Sequence, residues 1–101
     1  MASRLKLHSV LCDMLGSKNV YFQPPASLAL KYPCIIYERD NVDIIYANDI
    51  PYSHKIRYKI TIVDYDPDSP IPGKVAMLPT AKFVTSYKAN KLNHDVYEIY
   101  D

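Results

Sequence analysis

A chain of 101 residues, 49% hydrophobic and 23% charged, has the composition of one ordinary globular domain, 1–101, with a modest core. A formal net charge of +1 gives no general attraction to nucleic acid or to an anionic lipid surface. No apolar run approaches the roughly 20 residues of a membrane-crossing helix, and Cys12 and Cys34 are too far apart for a CxxC zinc site or a secreted disulfide framework. Free thiols in a reducing cytoplasm are the expectation.

Ser3 can cap a helix whose apolar positions Leu7, Val10, Leu11, Met14 and Leu15 fall on one face, and Gly16 offers its stop. Cys12 falls away from that stripe and reads as a surface or interface thiol. Asn19 to Phe22 is a short strand, followed by Pro24 and Pro25, which lack backbone donors and place the segment at an edge or in a loop. From Pro33 to Tyr46 the even positions Cys34, Ile36, Val42, Ile44 and Tyr46 are apolar, with a break expected at Arg39-Asp40-Asn41. A turn over Asn48 to Ser53 then leads into the clearest alternation of the chain. Between His54 and Asp64, Ile56, Tyr58, Ile60 and Ile62 share one face, while Lys55, Arg57, Lys59 and Thr61 share the other. The two segments predict an antiparallel hairpin whose Ile56–Ile62 face meets Leu7, Val10, Leu11 and Met14.

Asp68 or Ser69 can cap a second, short helix, with Ile71, Val75 and Leu78 as its stripe and Pro79 as its end; Gly73 weakens it. Ala81 to Tyr87, with Phe83, Thr85 and Tyr87 on one face, and His94 to Tyr100 are two further strands around a turn at Lys88 to Asn93. The expectation is an α+β fold, a mainly antiparallel sheet with two helices packed against it, in the order α-β-β-β-α-β-β.

Chemistry is sparse in this pattern. Asp64, Asp66 and Asp68 alternate like the opening of a calcium-binding EF-hand loop, but Ser69 and Val75 stand where that loop needs Gly and a bidentate Glu. No metal site is expected there; the acidic residues suit a strand end before a helix N-terminus. His8, His54 and His94 lie in separate elements without adjacent carboxylates or thiols. With only Gly16 and Gly73, phosphate-cradling loops and the GxSxG turn are impossible. No catalytic residue and no cofactor are expected. Lys55, Arg57 and Lys59 form a basic stripe that could meet phosphates, yet Glu38, Asp40 and Asp43 on the preceding strand can pair with it. Ten tyrosines against two phenylalanines and no tryptophan suit both half-buried strands and protein interfaces.

Val20-Tyr21-Phe22-Gln23-Pro24-Pro25, Tyr32-Pro33-Cys34-Ile35-Ile36-Tyr37, Tyr46-Ala47, Arg57-Tyr58, Asp66-Pro67-Asp68-Ser69 and Leu92-Asn93-His94 follow the leading helix in an order and spacing that resembles a known family. That family is the tail-completion, or tail-terminator, proteins of long-tailed (siphovirus-type) bacteriophages. The resemblance implies a structural virion protein, not an enzyme. It would form a ring with itself, commonly a hexamer, on the head-proximal end of the tail tube, assembled in the bacterial host cytoplasm. Its partners would be the tail-tube protein and the head-tail connector protein, with no membrane and no specific nucleic acid. Within this reading the contact residues are expected among Gln23, Pro24, Pro25, Tyr52, Lys55, Arg57 and Lys59. The alternatives are a head-completion or connector-stopper protein of the phage neck, and a small nucleic-acid-binding regulator using the basic stripe.

Overall fold

Gly16 sets the first boundary of the fold. In the computed structural model, which describes the backbone of residues 4–47 and 50–100 and their side chains outside 41–55, helix α1 runs over Arg4–Leu15. Gly16 follows it at φ +76°, its N–H donating to the Cys12 carbonyl at 2.9 Å. This left-handed stop is the conformation that a residue without Cβ adopts at least cost. Leu7 and Leu11 are the buried positions of α1, and Met14 and Leu15 pack beside them. The inner face is turned toward Leu15 rather than Val10. Val10 is half-buried outside the core cluster, whereas Cys12, expected at the surface, is half-buried against that cluster. Ser3, the expected cap, lies outside the described residues.

Five strands follow: β1 (Val20–Phe22), β2 (Cys34–Ala47), β3 (Ile50–Asp64), β4 (Lys82–Ala89) and β5 (Leu92–Tyr100), with helix α2 (Ile71–Ala76) between β3 and β4. They form one sheet in the order β1-β2-β3-β5-β4. All neighbours are antiparallel except β1 and β2, which run parallel with Val20 opposite Ile35. The α+β architecture and its element order are therefore those expected from the sequence. The expected turn at Asn48–Ser53 is shorter, because Ile50 to Ser53 already belong to β3; residues 48–49 lie outside the described ones.

Both helices cover one face of the sheet. Tyr58, Ile60 and Ile62 of β3 face Leu7 and Leu11, with Ile35 and Tyr37 of β2, Tyr97 and Ile99 of β5, and Ile71 and Val75 of α2 completing the core. Ile56 and Leu78 pack at its margin. On β2 before the Asp40 bulge the core-facing residues are thus the odd positions Ile35 and Tyr37. The even positions Cys34 and Ile36 belong to a thinner cluster on the opposite face, with Val63, Leu92, Tyr21 and Tyr32. The base of β2 is apolar on both faces, so its alternation alone does not select the inner one.

Of the three register shifts among the described residues of the sheet, the one between Ile45 and Tyr46 leaves Tyr52 of β3 without an opposite residue, and the other two re-aim side chains. Register shifts between Arg39 and Asn41, where the break is expected, so that Asp40 bulges from β2. A second shift between Phe83 and Thr85 makes Val84 the extra residue of β4. Phe83 consequently pairs with Tyr97 on the helix side, while Thr85 and Tyr87 pair with Val96 and His94 on the other. The single face expected for Phe83, Thr85 and Tyr87 is divided by that one residue. The β4–β5 turn is also tighter than Lys88–Asn93: Asn90 and Lys91 alone form it, at φ +52° and +63°, the signs of a type I′ turn.

Candidate interaction surfaces

The sheet is not equally deep along its length. β1 accompanies β2 only as far as Tyr37, and β5 accompanies β3 only from Asp64 back to Arg57. Past the Asp40 bulge and the last β5 partner, Tyr100 opposite Arg57, β2 and β3 continue together as a two-stranded arm, Val42 to Ala47 against Ile50 to Ile56. The molecule extends 51 Å along its longest axis against 28 and 24 Å on the others.

Gln23 closes the edge at the root of this arm. Its N–H donates to the Tyr37 carbonyl at 3.0 Å, and its Oε1 accepts the Arg39 N–H at 3.2 Å, so a side-chain amide replaces the next backbone pair of β1. Gln23 does this at φ +44°, turning the chain away from the sheet. Pro24 and the exposed Pro25 then lead into a turn in which the Pro25 carbonyl accepts the Leu28 N–H at 3.0 Å.

Arg57 and Lys59 lie on the sheet face opposite the helices. Arg57 Nε meets Asp40 Oδ2 at 3.0 Å, and Lys59 Nζ stands 3.9 Å from Glu38 Oε1. The Arg57 guanidinium is held more strongly charged than usual, chiefly by its side-chain hydrogen bond with Tyr100 and then by Asp40 and Glu98. In register, Glu38, Lys59, Glu98 and Lys82 form one row of alternating sign across β2, β3, β5 and β4. Among the described residues, Arg57 and Lys59 are therefore balanced within the sheet and present no single-sign field to a polyanion. Tyr52 and Lys55 belong to the arm by their backbone, and their side chains lie outside the described residues, as does that of His54.

These expected contact residues do not make one patch. Gln23 sits beside Arg39, opposite Tyr58, whereas Tyr52 is six residues farther along β3, roughly 20 Å at about 3.3 Å per strand residue.

Other side chains have structural partners. Asp64 Oδ1 accepts the Asp66 N–H at 3.1 Å and Asp66 Oδ1 accepts the Asp68 N–H at 2.9 Å, two successive Asx turns. The acidic run thus builds the turn; α2 has no acidic residue in its first turn, and Ser69 Oγ accepts the Ile71 N–H at 3.3 Å. His8 Nδ1 lies 2.7 Å from the Tyr37 hydroxyl, which Arg4 Nη1 also reaches at 3.3 Å while its guanidinium rests 4.4 Å from the Phe22 ring centre. Burial raises the Tyr37 phenol pKa, with Arg4 opposing. His94 stacks on Tyr87 with centroids 4.7 Å apart. Among the described residues, no three His, Cys, Asp or Glu side chains gather in a way that could hold a metal ion.

The surface that sequence reasoning missed is the outer edge of β4. Its strand is exposed almost throughout, including Phe83, Val84 and Tyr87. The missing signal is the strand order, which puts β4 outermost in the sheet and which no local pattern announces. Among the described residues, no helix is long and apolar enough to cross a membrane. Comparison with protein-family models gives no match, and comparison with curated proteins gives none either.

Proposed function

We propose that this chain is a structural subunit of phage assembly, of the tail-completion kind. It acts stoichiometrically as a ring on the head-proximal end of the tail tube, ending tube growth and offering a surface to the head-tail connector. The observation that carries the reading is the β2–β3 arm: a two-stranded extension leaving a small body suits a subunit that reaches its neighbours. The order of motifs in the sequence supports the same role. The pairing of Arg57 with Asp40 and of Lys59 with Glu38 favours it over a nucleic-acid-binding regulator. Such a subunit becomes part of the virion after assembly in the bacterial host cytoplasm.

The test is deletion of the gene from the phage that carries it. Tails should then fail to join heads, some tubes should overgrow, and purified chain added to the extract should restore joining in proportion to its amount. Normal infectious particles formed without the chain refute the proposal.

A further inference from the structure

β4 ends the sheet, and no described strand lies beyond it. The alternation of the hairpin fixes which of its backbone groups are free. Ala89 and Leu92 close a two-residue turn and exchange hydrogen bonds, so the N–H groups of Lys88 and Ser86 point away from β5. Phe83, Val84 and Tyr87, 52%, 46% and 51% exposed, flank that row. An edge of this kind accepts another strand unless something repels it.

What β4 repels is another β4. Its eight residues include Lys82 and Lys88 and no acidic residue, and Lys91 follows in the turn, so two such edges side by side set cation against cation. The arm supplies the complementary sequence. Between the Asp40 bulge and Ala47, β2 contains Asp43, opposite Lys55 of β3, with no cation or proline of its own, and it lies past the end of β1, leaving its outer backbone edge without a described partner. The other arm strand is the poorer donor, because Pro51 lacks an N–H and Lys55 matches the charge of β4.

We propose that β4 receives the β2 side of the arm of a second copy of this chain, adding a strand to the sheet edge. Donor and acceptor are different surfaces at different ends of the sheet, so the contact is head-to-tail and propagates to a closed ring when the rotation between copies closes. The contact deepens the ring reading above by naming the two surfaces, and it rests on that reading only for its setting in the virion.

The experiment uses the full chain. Molar mass is measured by sedimentation from micromolar to millimolar concentration for the natural sequence, for Lys82→Glu with Lys88→Glu, for Ser86→Pro, and for a chain in which Asp43→Lys is added to the two lysine reversals. Circular dichroism and melting of each variant establish that it is folded. The natural chain should associate, and amides of Ser86 and Lys88 should gain protection from hydrogen exchange as it does. The lysine reversals and Ser86→Pro should each raise the midpoint concentration about tenfold or more, and Asp43→Lys should recover part of the loss caused by the reversals. A natural chain that stays monomeric throughout, folded variants that associate as it does, or reversals that Asp43→Lys does not rescue overturn the contact. Phage assays separate the two proposals. Association through β4 by a chain that virions do not need removes the tail role alone. Virions that need the chain but assemble normally with the β4 variants remove the β4 contact alone.

Discussion

Ile60→Ala tests the central packing of the fold. Ile60 has no exposed surface, lies on β3 between Tyr37 and Tyr97 in register, and shares the core cluster with Leu7 and Leu11. The substitution removes three carbons, about 2.5 kcal/mol of transfer free energy at about 0.8 kcal/mol per buried methylene. If the surroundings hold still, a cavity of roughly 80 Å³ adds about 2 kcal/mol at about 24 cal/mol per Å³; partial collapse brings the expected loss to about 2–4.5 kcal/mol. A domain of this length has only about 5–15 kcal/mol to lose, so the melting temperature should fall by about 10 °C or more. Urea unfolding followed by circular dichroism reads the change as a shift in midpoint at constant slope. Two controls bracket it: Ile60→Val should cost about 0.5–1.5 kcal/mol, and Leu5→Ala, at a position 69% exposed, should stay within about 0.5 kcal/mol of the parent. An Ile60→Ala loss no larger than that of Leu5→Ala would falsify the inward assignment of the Tyr58, Ile60, Ile62 face.

Tyr37→Phe should cost about 0.5–1.5 kcal/mol, because it deletes the hydroxyl shared by His8 and Arg4 while both partners remain half-buried and can reach water; equal or higher stability in urea argues against that network. Lys91→Gly should stabilise by about 0.5–1 kcal/mol, since it places a residue without Cβ at φ +63° in the I′ turn, and any loss of melting temperature contradicts the turn assignment. Burial pushes the Cys34 thiol up to about 11, so the folded chain keeps a proton that the unfolded chain releases near 9, and this group's stabilising contribution should fall as pH rises from about 9 to about 11. At pH 8 a thiol reagent should modify Cys34 only on unfolding, and its rapid modification in the native chain refutes the buried placement.

Sequence alone determined the elements whose signals are local. Gly16 ends α1 because only the residue at the helix stop needs the left-handed region, and the Ile56–Ile62 alternation identifies the core face of β3 because its other face is charged. Ile71 and Val75 likewise mark the inner side of α2, whereas Leu78, expected on the same stripe before a stop at Pro79, packs on the core from beyond the helix, which already ends at Ala76. Tertiary structure decided what depends on the neighbours of each strand. β2 is apolar at Cys34, Ile35, Ile36 and Tyr37 alike, so only the placement of the helices makes Ile35 and Tyr37 the deep core and leaves Cys34 and Ile36 beneath Tyr21 and Tyr32. The bulge at Val84 reverses the sides of everything after it on β4, and its position is set by the register with β5 rather than by the identity of Val84. The candidate surfaces were legible to the same extent. Arg57 and Lys59 announce a charged face, but their pairing with Asp40 and Glu38 appears only when β2 and β3 are in register. The arm and the open β4 edge follow from where β1 and β5 stop pairing and from β4 taking the outer place in the sheet. Strand order is a long-range choice made by the burial of a whole face, and no window of the sequence contains it.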